Sequence, residues 1–135
     1  MTNFSIDEFE RSITAREKGI DNAIPYQAKK NILLLISKIL QPARDRLALP
    51  IFISSGYRSK ALNKAVGGSS SSQHLTGEAA DITCSDNDRL LQILKDLPYD
   101  QLIVYRNRRK ESEIMWIHVS YSEKKTRSMS YSVFK

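Results

Sequence analysis

Three side chains in this sequence could together hold a divalent metal, and two of them stand close together. Residues 72–81, SQHLTGEAAD, set the imidazole of His74 and the carboxylate of Asp81 seven positions apart, with Gly77 between them. The chain's other histidine, His118, lies in WIHVS near the C-terminus. Neutral imidazole nitrogen and carboxylate oxygen are ready ligands of zinc, and three such groups leave the fourth tetrahedral position to water. The segment suits a loop that turns at Gly77 and enters a strand. His74 then comes from the loop and Asp81 from the first exposed strand position. A histidine in a strand beside Trp116 equally fits a half-buried structural residue, so spacing alone leaves both readings of His118 open. Arg58 follows Gly56 in SSGYRS, a tight turn at a strand end where side chains are displayed. Anion binding and a surface ion pair are both open for it.

These residues need elements to position them. Ser5 and Glu8 form a capping-box pattern for a short helix with Ile6, Phe9 and Ile13 on its apolar face. Apolar residues recur at three- and four-residue steps over 26–47, which predicts a long helix that Pro42 kinks or splits near Gln41. Residues 51–54 read as a strand, 60–66 as a short helix closed by Gly67, and the serine run 69–72 as mobile. Residues 79–84 predict a strand with Asp81 and Thr83 on one face and Ala80 and Ile82 on the other. Asp86 caps a helix over 87–97. Residues 101–105 and 114–121 predict a hairpin, with Ile114, Trp116, His118 and Ser120 sharing one face of the second strand. Met129–Phe134 alternates weakly and adds an edge strand. The sum is one α+β domain over residues 1–135, a small antiparallel sheet flanked by helices.

Composition narrows the class. A chain of 135 residues is about one domain and can build a core without staples. With 41% hydrophobic and 27% charged residues it has ordinary globular composition. The single cysteine, Cys84, excludes an internal disulfide framework and a multi-cysteine zinc site. The first residues, MTNFSIDEFERS, carry no basic or apolar leader pattern, so no signal peptide is expected. The longest apolar run, residues 32–36, is far too short to span a bilayer. The net charge of +6 is concentrated late, with eight Lys/Arg against three Asp/Glu from Arg106 to Lys135. Nucleic acid, an anionic membrane or an anionic wall polymer would attract such a surface, and a merely solvated face explains it as well. Aromatic interleaving and a nucleic-acid motif are both missing, so no nucleic-acid partner is expected. A monomer is expected.

The pattern SxHxxGxAxD is met by Ser72, His74, Gly77, Ala79 and Asp81. With SGYRS upstream and WIHVS downstream, the chain resembles the M15 family of zinc peptidases. That family includes D-alanyl-D-alanine carboxypeptidases, vancomycin-resistance dipeptidases and phage endolysins, and it shares its fold with the signalling domain of Hedgehog proteins. The resemblance extends in order through FSIDEFERSITAREKGIDN, LQPARDRLALPIFISSGYRS, QHLTGEAADI and DQLIVY…WIHVSY, most like the small single-domain branch of phages and bacteria. It implies that His74, Asp81 and His118 bind Zn²⁺. It further implies that Arg58 binds and polarises substrate, and that Ser72 and Trp116 lie on the substrate side. The implied substrates are peptidoglycan stem peptides, cut at D-Ala-D-Ala or L-Ala-D-Glu. A protein without a leader would be made in the cytoplasm; a phage-type lysin can still reach the wall once the membrane is breached, so localisation stays open.

Hydrolysis also calls for a general base beside the metal. Archetypal members carry an acidic residue three before the last histidine, where this chain has Met115. In the small branch a glutamate often follows the DQLIY-type strand, where this chain has Tyr105. Glu113, Glu111 and Glu78 are the nearby carboxylates in sequence. Strand alternation turns Glu113 away from His118 unless a bulge intervenes. Tyr105 could stabilise an oxyanion without serving as a strong base. Two functions are consistent with this: a zinc peptidase using Arg58 with Tyr105 or Glu113, or a non-catalytic module that binds zinc and cell-wall peptide. A basic nucleic-acid binder using residues 106–110 and 124–127 is a weaker third.

Overall fold

The computed structural model describes residues 2–110 and 112–135. Two short helices open the chain, α1 (Ile6–Glu10) and α2 (Ile13–Lys18). Glu8 accepts the Ser5 N–H at 3.0 Å, and Ser12 Oγ accepts the Ala15 N–H at 3.2 Å. Each bond satisfies a donor near a helix start.

The expected long helix forms as three runs: α3 (Tyr26–Leu35), a π-helical turn (Ile36–Leu40) and α4 (Gln41–Leu47). It neither splits nor breaks at Gln41. The ladder widens ahead of the proline instead, and the Gln41 N–H bonds the Ile36 carbonyl five residues back. Pro42 then falls in the first turn of α4, where a missing N–H costs least. Ile32, Leu35, Ile39, Leu40, Ala43 and Leu47 are fully buried along this helix.

Five strands form one sheet: β1 (Phe52–Ser55), β2 (Ala79–Thr83), β3 (Gln101–Arg106), β4 (Ile114–Ser120) and β5 (Met129–Phe134), in the order β1-β2-β4-β3-β5. The first four pair antiparallel. The edge strand β5 runs parallel to β3, because residues 121–128 carry the chain past the start of β3 to its outer side. The remaining helices are α5 (Lys60–Ala65), a 3-10 turn (Gln73–Thr76) and α6 (Asn87–Leu94). Ser59 and Asp86 cap α5 and α6 by accepting the N–H groups of Leu62 and Arg89. None of the described helices is long and apolar enough to cross a membrane.

Strand alternation gives the sheet two unlike faces. Ala80, Ile82, Leu102, Val104, Ile117 and Val119 point into a core shared with Ile39, Leu40, Leu90 and Leu94. Asp81, Ile103, Tyr105, Trp116 and His118 point into an open cleft. In β4 one residue breaks the expected alternation. The pairs Tyr105↔Trp116 and Arg106↔Ile114 leave Met115 as an extra residue, a β-bulge. Upstream of it the faces exchange, so Ile114, expected beside His118, packs in the core with Ile117.

Candidate metal centre

His74 sits in the 3-10 turn just after Ser72. Ser72 Oγ accepts the His74 N–H at 3.2 Å, so this serine orders the histidine's own turn. The serine run 69–72 makes a hydrogen-bonded turn, with the Ser72 N–H on the Ser69 carbonyl at 3.0 Å. Gly77 ends the 3-10 turn at φ +79°, and a Cβ there would lie 2.5 Å from the Ala28 carbonyl oxygen. Only glycine fits this left-handed position pressed against α3. Gly56 is equally confined, since a Cβ would come within 2.6 Å of the Phe9 backbone.

The ring of His74 is buried, and its Nδ1 lies 2.7 Å from the Gly56 carbonyl oxygen. A carbonyl can only accept, so Nδ1 carries the hydrogen and Nε2 is the nitrogen turned to the cleft. Asp81 and His118 are direct partners across β2 and β4. Asp81 Oδ1 stands 3.3 Å from His74 Nε2 and 3.1 Å from His118 Nδ1. The ligand atoms of all three residues lie within 4.8 Å of one another. Burial pushes the Asp81 carboxyl up, but His118 and His74, whenever each ring carries a second proton, outweigh it by their hydrogen bonds and charge. The carboxyl is held well below the usual carboxylate range.

These distances test the fit to a metal. With His74 Nδ1–H committed to Gly56, the lone pair of neutral Nε2 faces a carboxylate lone pair. Only a proton or a cation between them relieves that contact. Donors at ~2.0–2.1 Å from a tetrahedral zinc are about 3.3 Å apart, close to the two Asp81–histidine separations, while the two imidazole nitrogens lie within 4.8 Å of each other. The donor set therefore fits a zinc-like ion, with two imidazoles, one carboxylate and an open side toward the cleft.

Arg58 is fixed beside this centre. Its Nε donates to Ser55 Oγ at 3.1 Å, Nη1 to Asn63 Oδ1 at 3.2 Å and Nη2 to Asp81 Oδ2 at 3.4 Å. Three of its five N–H donors are thus used, and the rest remain for an anion in the cleft. Tyr105 and Trp116 stack at 4.5 Å between ring centroids, with planes 13° apart, and form an aromatic wall. Burial, followed by the negative charges of Asp81 and Tyr131, pushes the Tyr105 phenol up, against a smaller pull from Arg58. It therefore stays protonated at neutral pH and can donate.

The structure gathers His74, Asp81, His118, Arg58, Ser72, Tyr105 and Trp116 around one cleft of about 1070 Å³. It does not bring Glu113 there. Glu113 is exposed in the β3–β4 connection, its N–H on the Lys110 carbonyl and its carbonyl on the Asn107 N–H. Five strand positions at ~3.3 Å place it about 16 Å along the sheet from His118, beyond the reach of a glutamate side chain. The bulge supplies the parity that alternation denied, but not the distance. Met115 is not on the cleft either, and Glu111 lies outside the described residues. Glu78 does line the cleft, its carboxylate accepting the Thr76 hydroxyl.

One residue behind the cleft wall gave no sequence signal. Asp100 is fully buried and binds Gln73 Nε2 at 2.8 Å, the Arg127 N–H at 3.0 Å, Arg127 Nε at 2.9 Å and Arg127 Nη2 at 2.8 Å. It ties the residue next to His74 to the C-terminal segment. Those Arg127 bonds lead the causes that bring the Asp100 carboxyl down to about 2. Compared with known proteins, residues 2–120 match the family model described as Peptidase M15. No curated protein matches the chain.

Proposed function

The chain belongs to the peptidase M15 family, and on that premise we propose that it is a zinc-dependent peptidase acting on peptidoglycan stem peptides. The bond would be of the D,D-carboxypeptidase or L-Ala-D-Glu endopeptidase type. The observation that carries the reading is the convergence of His74, Asp81 and His118 donors on one point of a peptide-sized cleft. These three residues would hold the ion. Zinc bound by them would supply Lewis acidity, activating water near neutral pH and polarising a carbonyl.

The protein's own residues divide the remaining work. Gly56, through His74 Nδ1, holds the imidazole in the tautomer that offers Nε2. Arg58, braced by Ser55 and Asn63, binds the substrate carboxylate or the developing oxyanion with its free N–H groups. Tyr105 donates its phenolic hydrogen to the same developing charge. Trp116 and Tyr105 supply an apolar flank for substrate side chains, and Ser72 bounds the other side. Glu78 is the described cleft carboxylate closest in sequence to the ligands and the available candidate for moving a proton.

A second reading is a module that binds zinc and cell-wall peptide without cleaving it. It is favoured by the absence of a carboxylate at Tyr105 and Met115 and by the remoteness of Glu113. Metal analysis combined with hydrolysis of defined muropeptides decides between the two. Folded, zinc-loaded protein that leaves every muropeptide intact would end the peptidase reading.

A further inference from the structure

The span matched to the family ends at Ser120, the last residue of β4. The segment beyond it is not a loose tail. Residues 121–135 run along one side of the cleft, with Tyr121, Lys124, Lys125, Arg127, Tyr131 and Lys135 all lining it. The buried Asp100 carboxylate holds Arg127 by three bonds, and the Asp100 carbonyl takes the Met129 N–H at 2.9 Å. β5 then pairs with β3 residue for residue from Gln101↔Met129 to Arg106↔Phe134. At the end of the strand Lys135 Nζ lies 5.5 Å from the centroid of Tyr105, the ring stacked on Trp116. The segment carries four Lys/Arg and one Glu. Arg127 is spent on Asp100. No described carboxylate lies within 4.0 Å of the ammonium groups of Lys124, Lys125 or Lys135.

We propose that this segment is a cationic wall of the binding cleft and that Lys124, Lys125 and Lys135 select peptides carrying a second carboxylate, away from the group that Arg58 and the metal ligands take. The wall rests on the reading that the cleft accepts peptides. Its charges are set on a braced strand and turn over a concave surface, which suits a discrete carboxylate at a fixed distance. Glu78 and Glu123 interrupt the positive field within the same cleft, and this opposes a continuous phosphate backbone.

Trp116 is the chain's single tryptophan and lies in the cleft, so its fluorescence reports occupancy without turnover. The experiment titrates zinc-loaded full-length protein with two stem-type peptides that differ only in a distal side chain, carboxylate in one and carboxamide in the other. The carboxylate peptide should bind about tenfold tighter, the worth of a charge-assisted hydrogen bond. That preference should shrink to within twofold in Lys124→Gln/Lys125→Gln and in Lys135→Gln, and on raising salt from about 50 to 500 mM. Lys95→Gln, the same charge change off the cleft, should keep it. Equal binding of the two peptides, or a preference that survives all three lysine changes, overturns the wall. So does duplex DNA that competes at physiological salt when the acidic peptide does not. Discrimination without hydrolysis would remove the peptidase reading and leave the wall; hydrolysis without discrimination would do the reverse.

Discussion

If a lost base limits turnover, the place to restore it is Tyr105 and not Met115. Tyr105 lies on the cleft face of β3, one strand from His118, whose direct partner Ile103 is two positions earlier. Met115 is the bulge residue and does not line the cleft. Tyr105→Glu therefore sets a carboxylate in the cleft, and Met115→Glu does not. The substitution loses the stack on Trp116, worth about 0.5–1.5 kcal/mol, and the contact with Lys135, worth about 0.5–1 kcal/mol at an exposed site. The total, ~1–2.5 kcal/mol, lowers the melting temperature without unfolding a domain of ordinary stability. Asp81 opposes ionisation of the new carboxylate and Arg58 and Lys135 favour it, so it is available as a base near neutral pH. A positioned base contributes 10²–10⁴-fold, and an unrefined one should reach the lower end, about 10²-fold in kcat. The assay is muropeptide hydrolysis by zinc-reconstituted protein, with calorimetry on the same samples. Tyr105→Gln separates proton transfer from loss of the ring. An equal gain in Tyr105→Gln and Tyr105→Glu, a gain in Met115→Glu, or no gain in a folded, metal-loaded Tyr105→Glu would each refute the reasoning.

The same geometry sets other outcomes. Gly77→Ala should cost about 2–4 kcal/mol, on the order of 10 °C in melting temperature, because a left-handed φ and a backbone contact with Ala28 add; Ala28→Gly should not rescue it, since the contacts are with main chain. Asp81→Asn should lower zinc affinity by at least 100-fold in a competition with a chelating dye, while the circular dichroism spectrum is kept. Asp100 binds its partners as a carboxylate, so its contribution is present above the unfolded value near 4 and is lost as pH falls through about 2. Unfolding free energies of wild type and Asp100→Asn from urea titration should differ by at most about 2 kcal/mol at pH 7, screened somewhat by the solvent around Arg127, and should converge toward pH 2.

The candidate metal cluster was legible in the sequence through the resemblance more than through spacing: two histidines and an aspartate beyond a glycine turn suggested it, and the ordered family motifs joined His118 to the other two. The strand faces around Asp81 were legible because a half-buried strand alternates. The same rule failed at Ile114, where the Met115 bulge adds a residue that no local pattern announces. Pro42 signalled a disturbance in the long helix, and the π turn ahead of it is the form that disturbance takes. The parallel course of β5 and the role of Asp100 depend on pairing between segments far apart in the chain. Asp100 in DQLIVY looks like any surface carboxylate until Gln73 and Arg127 close over it.

The register Asp81↔His118, with His74 placed on the same point, has a consequence for how the molecule opens. Asp81 is seven residues from His74 and 37 from His118. One ion gripped by all three would close two loops at once, one small and one spanning more than a quarter of the chain. Closing them removes conformations from the unfolded chain, as any cross-link does. The central strand pair would then be the last part to exchange its amide hydrogens with solvent, and metal supply would set the lifetime of the folded protein as well as the state of its cleft.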